Sequence, residues 1–310
     1  MSDKSASQKV STVGGFIAGG VAACGAVTFT NPIELVKTRM QLQGELSANA
    51  VKIYKNPVQA LALIFKNEGI RGIQKGLVCA YVYQLGLNGC RLGLYEPTRK
   101  IVNNLFYPGQ ENIQNIPINV VAGALSGIAG AIIGSPMYLV KTRMQSYSDQ
   151  VKIGEQTHYK NAWDGLRQIY SKEGFVGLFR GVDAAILRTG AGSSVQLPIY
   201  NFAKLELKST GLFNEGPGLH LFASVIAGFG VGIVMNPWDV ILTRVYNQRG
   251  DLYKGPVDCF IKTIKSEGLG ALYKGFGAQI MRIAPHTVLT LTFMEQTMGL
   301  VCRIETALGA

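Results

Sequence analysis

The feature that most constrains the fold is a unit of three short elements that recurs three times in the same order. The first element contains a proline and reads TNPIELVKTRMQ, SPMYLVKTRMQ and NPWDVILTRVY in the three copies. The second is a Tyr-Lys pair, and the third reads EGIRGIQKG, EGFVGLFRG and EGLGALYKG. The prolines are Pro32, Pro136 and Pro237, at intervals of 104 and 101 residues. Chance does not reproduce such an order three times, so the sequence predicts three copies of one structural unit.

Each repeat also contains two apolar stretches of about 18 to 20 residues, which are long enough to cross a bilayer as helices. The first stretch ends at the proline element, and the second follows the Glu-Gly element. The predicted spans are 13–30, 76–95, 118–135, 181–200, 219–236 and 275–294. Amphipathic patterns between the two stretches, such as PVQALALIFKNEG, predict short helices on the membrane surface. The predicted fold class is therefore an all-α membrane protein with six transmembrane helices.

Composition and motifs narrow the function. Charged residues make up 16% of the chain, against roughly 25% in a soluble domain. The net charge is +11 and the basic residues lie in loops between the apolar stretches, which favours a membrane surface and an anionic substrate over nucleic acid. The five cysteines include no CxxC pair, so neither a disulfide framework nor a zinc site is expected. No nucleophile-elbow, metalloprotease or phosphate-loop motif occurs, so the chain is not predicted to be an enzyme.

The proline element resembles the signature of the mitochondrial carrier family, in which a proline, an acid and two bases recur at fixed spacing. The first copy is complete, with Pro32, Glu34, Lys37 and Arg39. The resemblance covers about residues 10 to 303 and implies a tail at 1–9 and carrier repeats at 10–104, 115–209 and 218–303. It also implies a pseudo-threefold bundle of three two-helix repeats, around a cavity that opens alternately to each side of the inner mitochondrial membrane. The basic loops and surface helices would face the matrix, and both termini the intermembrane space.

In the family, each signature acid pairs with the first base of a neighbouring signature helix and closes the matrix side. Here Tyr138 replaces the second acid and Leu242 replaces the third base. These two would have been partners, so their joint loss leaves no unpaired charge at that depth. The ion pairs that the resemblance still implies are Glu34 with Lys141 and Asp239 with Lys37. Gln41 and Gln145 resemble the family's braces beneath these pairs, with Tyr246 in the third position.

The second helix of each repeat resembles the family's cytoplasmic-side pattern of an aromatic residue, an acid and a base. The first copy is complete, whereas the second lacks its acid and the third lacks its base. The ion pairs implied for a cytoplasmic gate are Glu96 with Lys204 and Glu295 with Arg99. With two bridges in place of three at each end, and with each bridge partly solvated, both gates are expected to be weaker than a full ring.

Arginine within a membrane span indicates a functional site, because burying its charge is costly. Arg188 and Arg282 each lie seven residues after a repeat glycine and thirteen before the acid position of the cytoplasmic-side pattern, about 20 Å along a helix. The two are therefore predicted at one depth near the middle of the membrane, and the equivalent position in the first repeat is Tyr83. Arginine suits bidentate recognition of a carboxylate or sulfate. Snorkelling and pairing within the protein are the alternatives.

Three further residues complete the expected substrate site. Arg91 lies seven residues after Gln84, which places both on one face of the second span. The Arg188-Thr189 pair resembles the dicarboxylate and keto-acid branch of the family. LRTGAGSSVQLPIYN, VMNPWDVILTR, YNQRGDLYKGP and RIAPHT resemble fungal members of that branch, which implies transport of oxaloacetate, with sulfate, thiosulfate, malonate or isopropylmalate as companions. Another dicarboxylate carrier and a proton-leak uncoupling carrier remain alternatives, as does a membrane scaffold.

The mode of transport stays open at this stage between exchange and proton symport. His286, one turn past Arg282, either carries a proton or is an ordinary hydrogen-bonded histidine of the bundle. No cofactor is expected, and a monomer is. Three basic-glycine pairs resemble the family's cardiolipin-binding positions at helix N-termini. They are Lys75-Gly76, Arg180-Gly181 and Lys274-Gly275.

Overall fold

The structure, a computed structural model, describes residues 12–47, 52–106, 116–209, 216–248 and 250–308. These residues form nine α-helices and one short 3-10 helix. The α-helices are α1 (Thr12–Leu42), α2 (Pro57–Ile73), α3 (Leu77–Phe106), α4 (Ile116–Ser146), α5 (Ala162–Gly177), α6 (Val182–Ser209), α7 (Pro217–Asn247), α8 (Pro256–Glu267) and α9 (Phe276–Leu308). The 3-10 helix, Leu269–Tyr273, lies between the last two.

Each repeat contributes a long helix, a short helix and a second long helix. We call α1, α4 and α7 the signature helices, α2, α5 and α8 the surface helices, and α3, α6 and α9 the return helices. The signature helices have 31 residues each and continue through Pro32, Pro136 and Pro237. They contact one another in all three pairings, and each also packs against return helices. The described chain is therefore the all-α bundle that the repeats predict.

The signature helices and the return helices differ in composition. By length and hydropathy, Gly14–Leu42, Pro117–Ser146 and Phe222–Asn247 can each cross a membrane. The return helices are of similar length, and the start of α3, Leu77–Leu87, is a further apolar stretch. The return helices contain the internal arginines Arg91, Arg188 and Arg282. Their length and their place in the repeat identify them as the second long helix of each repeat.

The buried core lies at the C-terminal ends of the signature helices, which we call the signature end. One cluster gathers around Leu139, Ile169 and Leu242, and a second around Leu35 and Ile64. The outward faces of the signature helices carry exposed apolar side chains such as those of Phe29 and Ile133. Apolar residues on the outside suit a surface that faces lipid. The bundle is therefore closed at the signature end.

The second base of each signature ties three helices together at this end. Arg39 donates to Glu68 at 2.5 and 3.0 Å, and to the carbonyls of Gln145 and Tyr147 at the end of α4. These carbonyls have no partner within their own helix, so the guanidinium caps α4. The equivalents are Arg143 with Glu173 and the end of α7, and Arg244 with Glu267 and the end of α1. The caps connect α1 to α4, α4 to α7 and α7 back to α1.

Two glycines in each repeat explain why the third element recurs. Those of the Glu-Gly pairs are Gly69, Gly174 and Gly268, with φ of 64°, 73° and 80°. Those of the basic-glycine pairs are Gly76, Gly181 and Gly275, with φ of 76°, 82° and 76°. A side chain is strained at such angles, whereas glycine is not. The first glycine kinks α2 and α5 and ends α8, and the second precedes the return helix.

Candidate functional site

Two ion pairs join the signature helices immediately after their prolines. Lys141 Nζ on α4 lies 2.7 Å from Glu34 Oε1 on α1, and Lys37 Nζ on α1 lies 2.7 Å from Asp239 Oδ2 on α7. Acid and first base are three residues apart, so they share a face of each helix and both point to the bundle axis. Both ion pairs predicted from the sequence are therefore formed, and they close the signature end.

The third position of this ring is closed by apolar contact. Leu242 is buried, and the Tyr138 ring lies between those of Tyr83 and Tyr246, with centroids 5.0 and 5.3 Å away. Tyr83 reaches this place because the facing residue on α4 is Gly134, where a Cβ would approach the Tyr83 ring to 2.7 Å. Where the family pattern has an ion pair, this chain has a row of aromatic rings.

The residues expected as braces do link neighbouring signature helices. Gln145 Nε2 donates to Asn31 Oδ1 at 3.1 Å, and its Oε1 accepts from Thr38 at 3.1 Å. Gln41 Oε1 accepts from Thr243 at 2.7 Å. Tyr246 completes the set through a hydrogen bond of 2.8 Å between its hydroxyl and that of Ser135. Each of the three contacts joins a different pair of signature helices.

Arg188 has a partner that the sequence did not predict. Its Nε donates to Oδ1 of Asp239, while Oδ2 of the same carboxylate accepts from Lys37. The Arg188 side chain is 24% exposed, whereas that of Asp239 is 2% exposed. The guanidinium thus pairs within the protein, which was the alternative for each arginine, and still faces open space on one side.

Arg282 stands in a different environment. Its Nε is buried and has no hydrogen-bond partner, and within the described residues no carboxylate lies within ion-pair distance of it. One turn further along α9, His286 Nδ1 lies 3.4 Å from the Thr30 hydroxyl. Leaving a buried N–H of a charged group unpaired is costly, so an anion from outside the chain would stabilise this position.

The remaining residues of the expected site are placed as follows. Thr189 lies beside Arg188 on α6, and its hydroxyl donates to the Ala185 carbonyl at 2.8 Å. Tyr83, Arg188 and Thr189 line one narrow space of about 10 Å³, which holds at most one water. Gln84 lies on α3 and is partly exposed. Arg91 is also on α3, but its side chain lies outside the described residues.

A family model described as "Mitochondrial carrier protein" matches residues 8–105, 113–210 and 214–304. The chain belongs to the mitochondrial carrier family. Its similarity to the Mitochondrial oxaloacetate transport protein of Saccharomyces cerevisiae is 66% identity, over 98% of this chain and 94% of the relative. The protein of the same name from Schizosaccharomyces pombe is 53% identical over 96% and 94% of the two chains. Mitochondrial citrate transporter E of Aspergillus niger is 54% identical over 95% of each.

As a mitochondrial carrier, the chain is a multi-pass protein of the inner mitochondrial membrane that transports small molecules rather than converting them. Its six long helices form the family's three repeats.

The opposite end of this carrier corrects one expectation. Glu96 pairs with Arg99 of its own helix, at 2.7 Å, instead of with Lys204. Glu295 is exposed, and no ion pair joins it to Arg99 among the residues that the structure describes. The signature end is closed in this structure. The expected pairs between return helices therefore remain a prediction for a state closed at the opposite end.

The carrier also has functional residues that the sequence analysis missed. The acids Glu68, Glu173 and Glu267 bind the second base of each signature. A signal for them was present, because acid and base recur together in all three repeats. No such signal existed for the bond between Arg188 and Asp239, which occurs in one repeat only.

Proposed function

We propose that this carrier transports oxaloacetate and related small dianions across the inner mitochondrial membrane by alternating access. The observation that supports a carboxylate substrate is that Arg188 already binds one, that of Asp239. The two oxaloacetate transport proteins, 66% and 53% identical over nearly the whole chain, support the choice of oxaloacetate. Sulfate, thiosulfate, malonate and isopropylmalate are proposed as further substrates because each of them also carries two negative charges.

Citrate is a second candidate substrate. A relative 54% identical over 95% of both chains is named a citrate transporter. Citrate shares the carboxylate chemistry that arginine recognises, but it is larger and carries a third carboxylate. A direct comparison of oxaloacetate with citrate therefore belongs in the first experiment.

In the proposed mechanism, the dianion enters from the cytoplasmic side, the end where Glu96 and Glu295 have no cross-helix ion pair among the described residues. Arg188 and Arg282 bind it, and Arg91, Gln84, Thr189 and Tyr83 assist. Binding favours the state in which the two signature-end ion pairs are broken and those of the return helices are formed. The matrix gate then consists of Glu34, Lys37, Lys141 and Asp239, with Gln41 and Gln145 as braces. The cytoplasmic gate consists of Glu96, Arg99, Lys204 and Glu295.

The remaining partners are membrane lipids. We propose no cofactor and a monomeric carrier, with both termini toward the intermembrane space. Cardiolipin would bind at the basic-glycine pairs, since the N-terminus of each return helix favours a phosphate. A cavity of about 550 Å³ lies beside one of them, lined by Lys52, Lys55 and Lys274. The ammonium groups of Lys52 and Lys55 suit a phosphate headgroup, whereas that of Lys274 is paired with Glu267.

Uptake into liposomes tests the proposal. Purified carrier is reconstituted, and uptake of labelled oxaloacetate, sulfate, citrate, malate, ADP and glutamate is measured with and without Arg188→Ala and Arg282→Ala. Lys66→Ala, which removes an exposed cation from α2, is the matched control. We expect rapid oxaloacetate uptake that each arginine variant reduces at least tenfold and that the control retains.

Three outcomes would contradict the proposal. Uptake confined to ADP or glutamate would leave the fold in place and overturn the substrate. Faster citrate than oxaloacetate uptake would favour the second candidate. Proton conductance without substrate uptake would identify an uncoupling-type carrier. Exchange and proton symport are distinguished in the same liposomes by preloading substrate or imposing a pH difference.

A further inference from the structure

Asp239 makes two bonds where the equivalent acid of the first repeat makes one. Its Oδ2 accepts from Lys37 on α1 and its Oδ1 from Arg188 on α6, so one carboxylate on α7 joins three helices. Glu34 has an ion pair with Lys141, and no other ion pair of Glu34 is found within the part of the chain that the structure describes. The two acids of the signature end are therefore not equivalent.

The departure at the third base explains this asymmetry. Leu242 stands one turn after Asp239 and lines the same narrow space as Arg188. No cation from α7 competes for the Asp239 carboxylate at that position. Arg188 supplies the second cation from the neighbouring return helix. The signature-end cluster then has three cations, Lys37, Lys141 and Arg188, and two carboxylates, Glu34 and Asp239.

We propose that Asp239 acts as an internal ligand that occupies Arg188 in the empty carrier, and that an entering dianion displaces it. This inference rests on the proposed function of Arg188 as a substrate-binding residue. Asp239 uses one of the five guanidinium N–H donors, Nε. A substrate carboxylate can use two donors in a bidentate bond. It can also approach from the exposed side of Arg188, which Asp239 does not cover.

Displacement links binding to gate opening. While Asp239 holds Arg188, it lowers the apparent affinity for substrate, because the competent arginine is released only part of the time. Once the dianion has taken Arg188, Asp239 retains Lys37 alone, and the connection between α6 and α7 at this position is cut. Substrate binding therefore weakens the closed signature end.

Direct binding measurements on the purified full-length carrier test this role. Binding of malonate, a stable dianion, is measured by calorimetry for the wild type, Asp239→Asn and Glu206→Gln. Both variants remove one carboxylate, but Glu206 is exposed on α6 and only Asp239→Asn frees an arginine. We expect Asp239→Asn to lower the Kd about tenfold and Glu206→Gln to change it less than twofold. Unchanged or weaker binding by Asp239→Asn would overturn the inference.

Transport kinetics give a readout that a merely structural role would not produce. We expect Asp239→Asn to lower both KM and the maximal rate. KM falls because Arg188 is free to bind substrate, and the maximal rate falls because substrate binding no longer breaks a contact that holds the signature end closed. A damaged fold would lower the rate without improving binding. If the variant does not fold, Leu242→Lys provides the same test. Its new ammonium stands one turn from Asp239 and competes with Arg188, so malonate should again bind more tightly, and a failure to do so would overturn the inference.

The binding experiment separates this inference from the proposed function. Binding by the wild type that disappears in Arg188→Ala, together with no tightening in Asp239→Asn, would overturn the inference alone. No binding of malonate or oxaloacetate by the wild type would overturn both.

Discussion

At the scale of single residues, Glu68 shows how the closed end gains its stability. Burial opposes ionisation of this carboxyl, but hydrogen bonds from Arg39, Lys75 and Ser148 outweigh it and lower its pKa from 4.5 to about 2. A carboxyl whose pKa is lowered by folding stabilises the fold at pH values above its unfolded pKa. That contribution is lost as the pH falls from about 4.5 toward 2.

We therefore expect Glu68→Gln to lower the free energy of unfolding at pH 7 by about 2 kcal/mol, which is the typical contribution of a hydrogen bond to a charged group. The loss of stability between pH 4.5 and 2 should also be shallower in the variant than in the wild type. Thermal unfolding in detergent as a function of pH measures both effects. Glu206→Gln, which changes an exposed acid on α6, is the control and should leave the profile unchanged.

The aromatic third position leads to a second prediction. Tyr138→Asp alone places a carboxylate against buried Leu242 and should lower the melting temperature, since an unpaired buried charge is costly. Adding Leu242→Lys should restore most of the loss by recreating the missing ion pair. A double-mutant cycle of thermal stabilities measures this coupling. Strictly additive effects of the two substitutions would show that the positions do not meet at the closed end.

At the scale of elements, the surface helices depend on glycines with positive φ, which kink α2 and α5 and end α8. Gly174 has a φ of 73° and no atom within 4 Å of an added Cβ, so a substitution there tests backbone conformation alone. We expect Gly174→Ala to lower the free energy of unfolding by about 1 to 2 kcal/mol. Gly299→Ala, within α9 and also in open space, should be neutral or raise it by up to about 1 kcal/mol. Equal effects at both positions would contradict this account.

The contacts between helices show what the sequence predicts and what it does not. Glu34 and Lys141 could be paired in advance, because their places on the signature helices recur and the repeat fixes which helix faces which. The same spacing predicts one depth for Arg188 and Arg282, but depth does not fix the direction in which a long side chain turns. Arg188 pairs with Asp239 because Leu242 leaves the third base position of α7 without a cation. The cross-helix pairs of Glu96 and Glu295 were inferred from the same periodicity. The sequence contains the pairs expected at both ends of the bundle, whereas within its described residues this structure has only those of the signature end.

At the scale of the whole molecule, the two ends of the carrier should respond differently to substitution. Lys204→Gln removes a charge whose proposed partner, Glu96, pairs with Arg99 in this structure. We expect it to reduce the transport rate severalfold while changing the melting temperature by less than about 2 °C, because a partly exposed charge without an ion pair among the described residues contributes little to the state described here. Lys141→Gln breaks an ion pair that is present and should lower the melting temperature by several degrees. Thermal unfolding and liposome uptake on the same preparations test the contrast.

The three arginine caps have a consequence for chain order. Arg39 caps the end of α4, Arg143 that of α7 and Arg244 that of α1, so the bonds run in one direction around the bundle and return to their start. A cycle has no first member. The caps therefore do not depend on which repeat begins the polypeptide. A circularly permuted chain, starting with the second repeat and ending with the first, would form the same three caps in the same rotational sense.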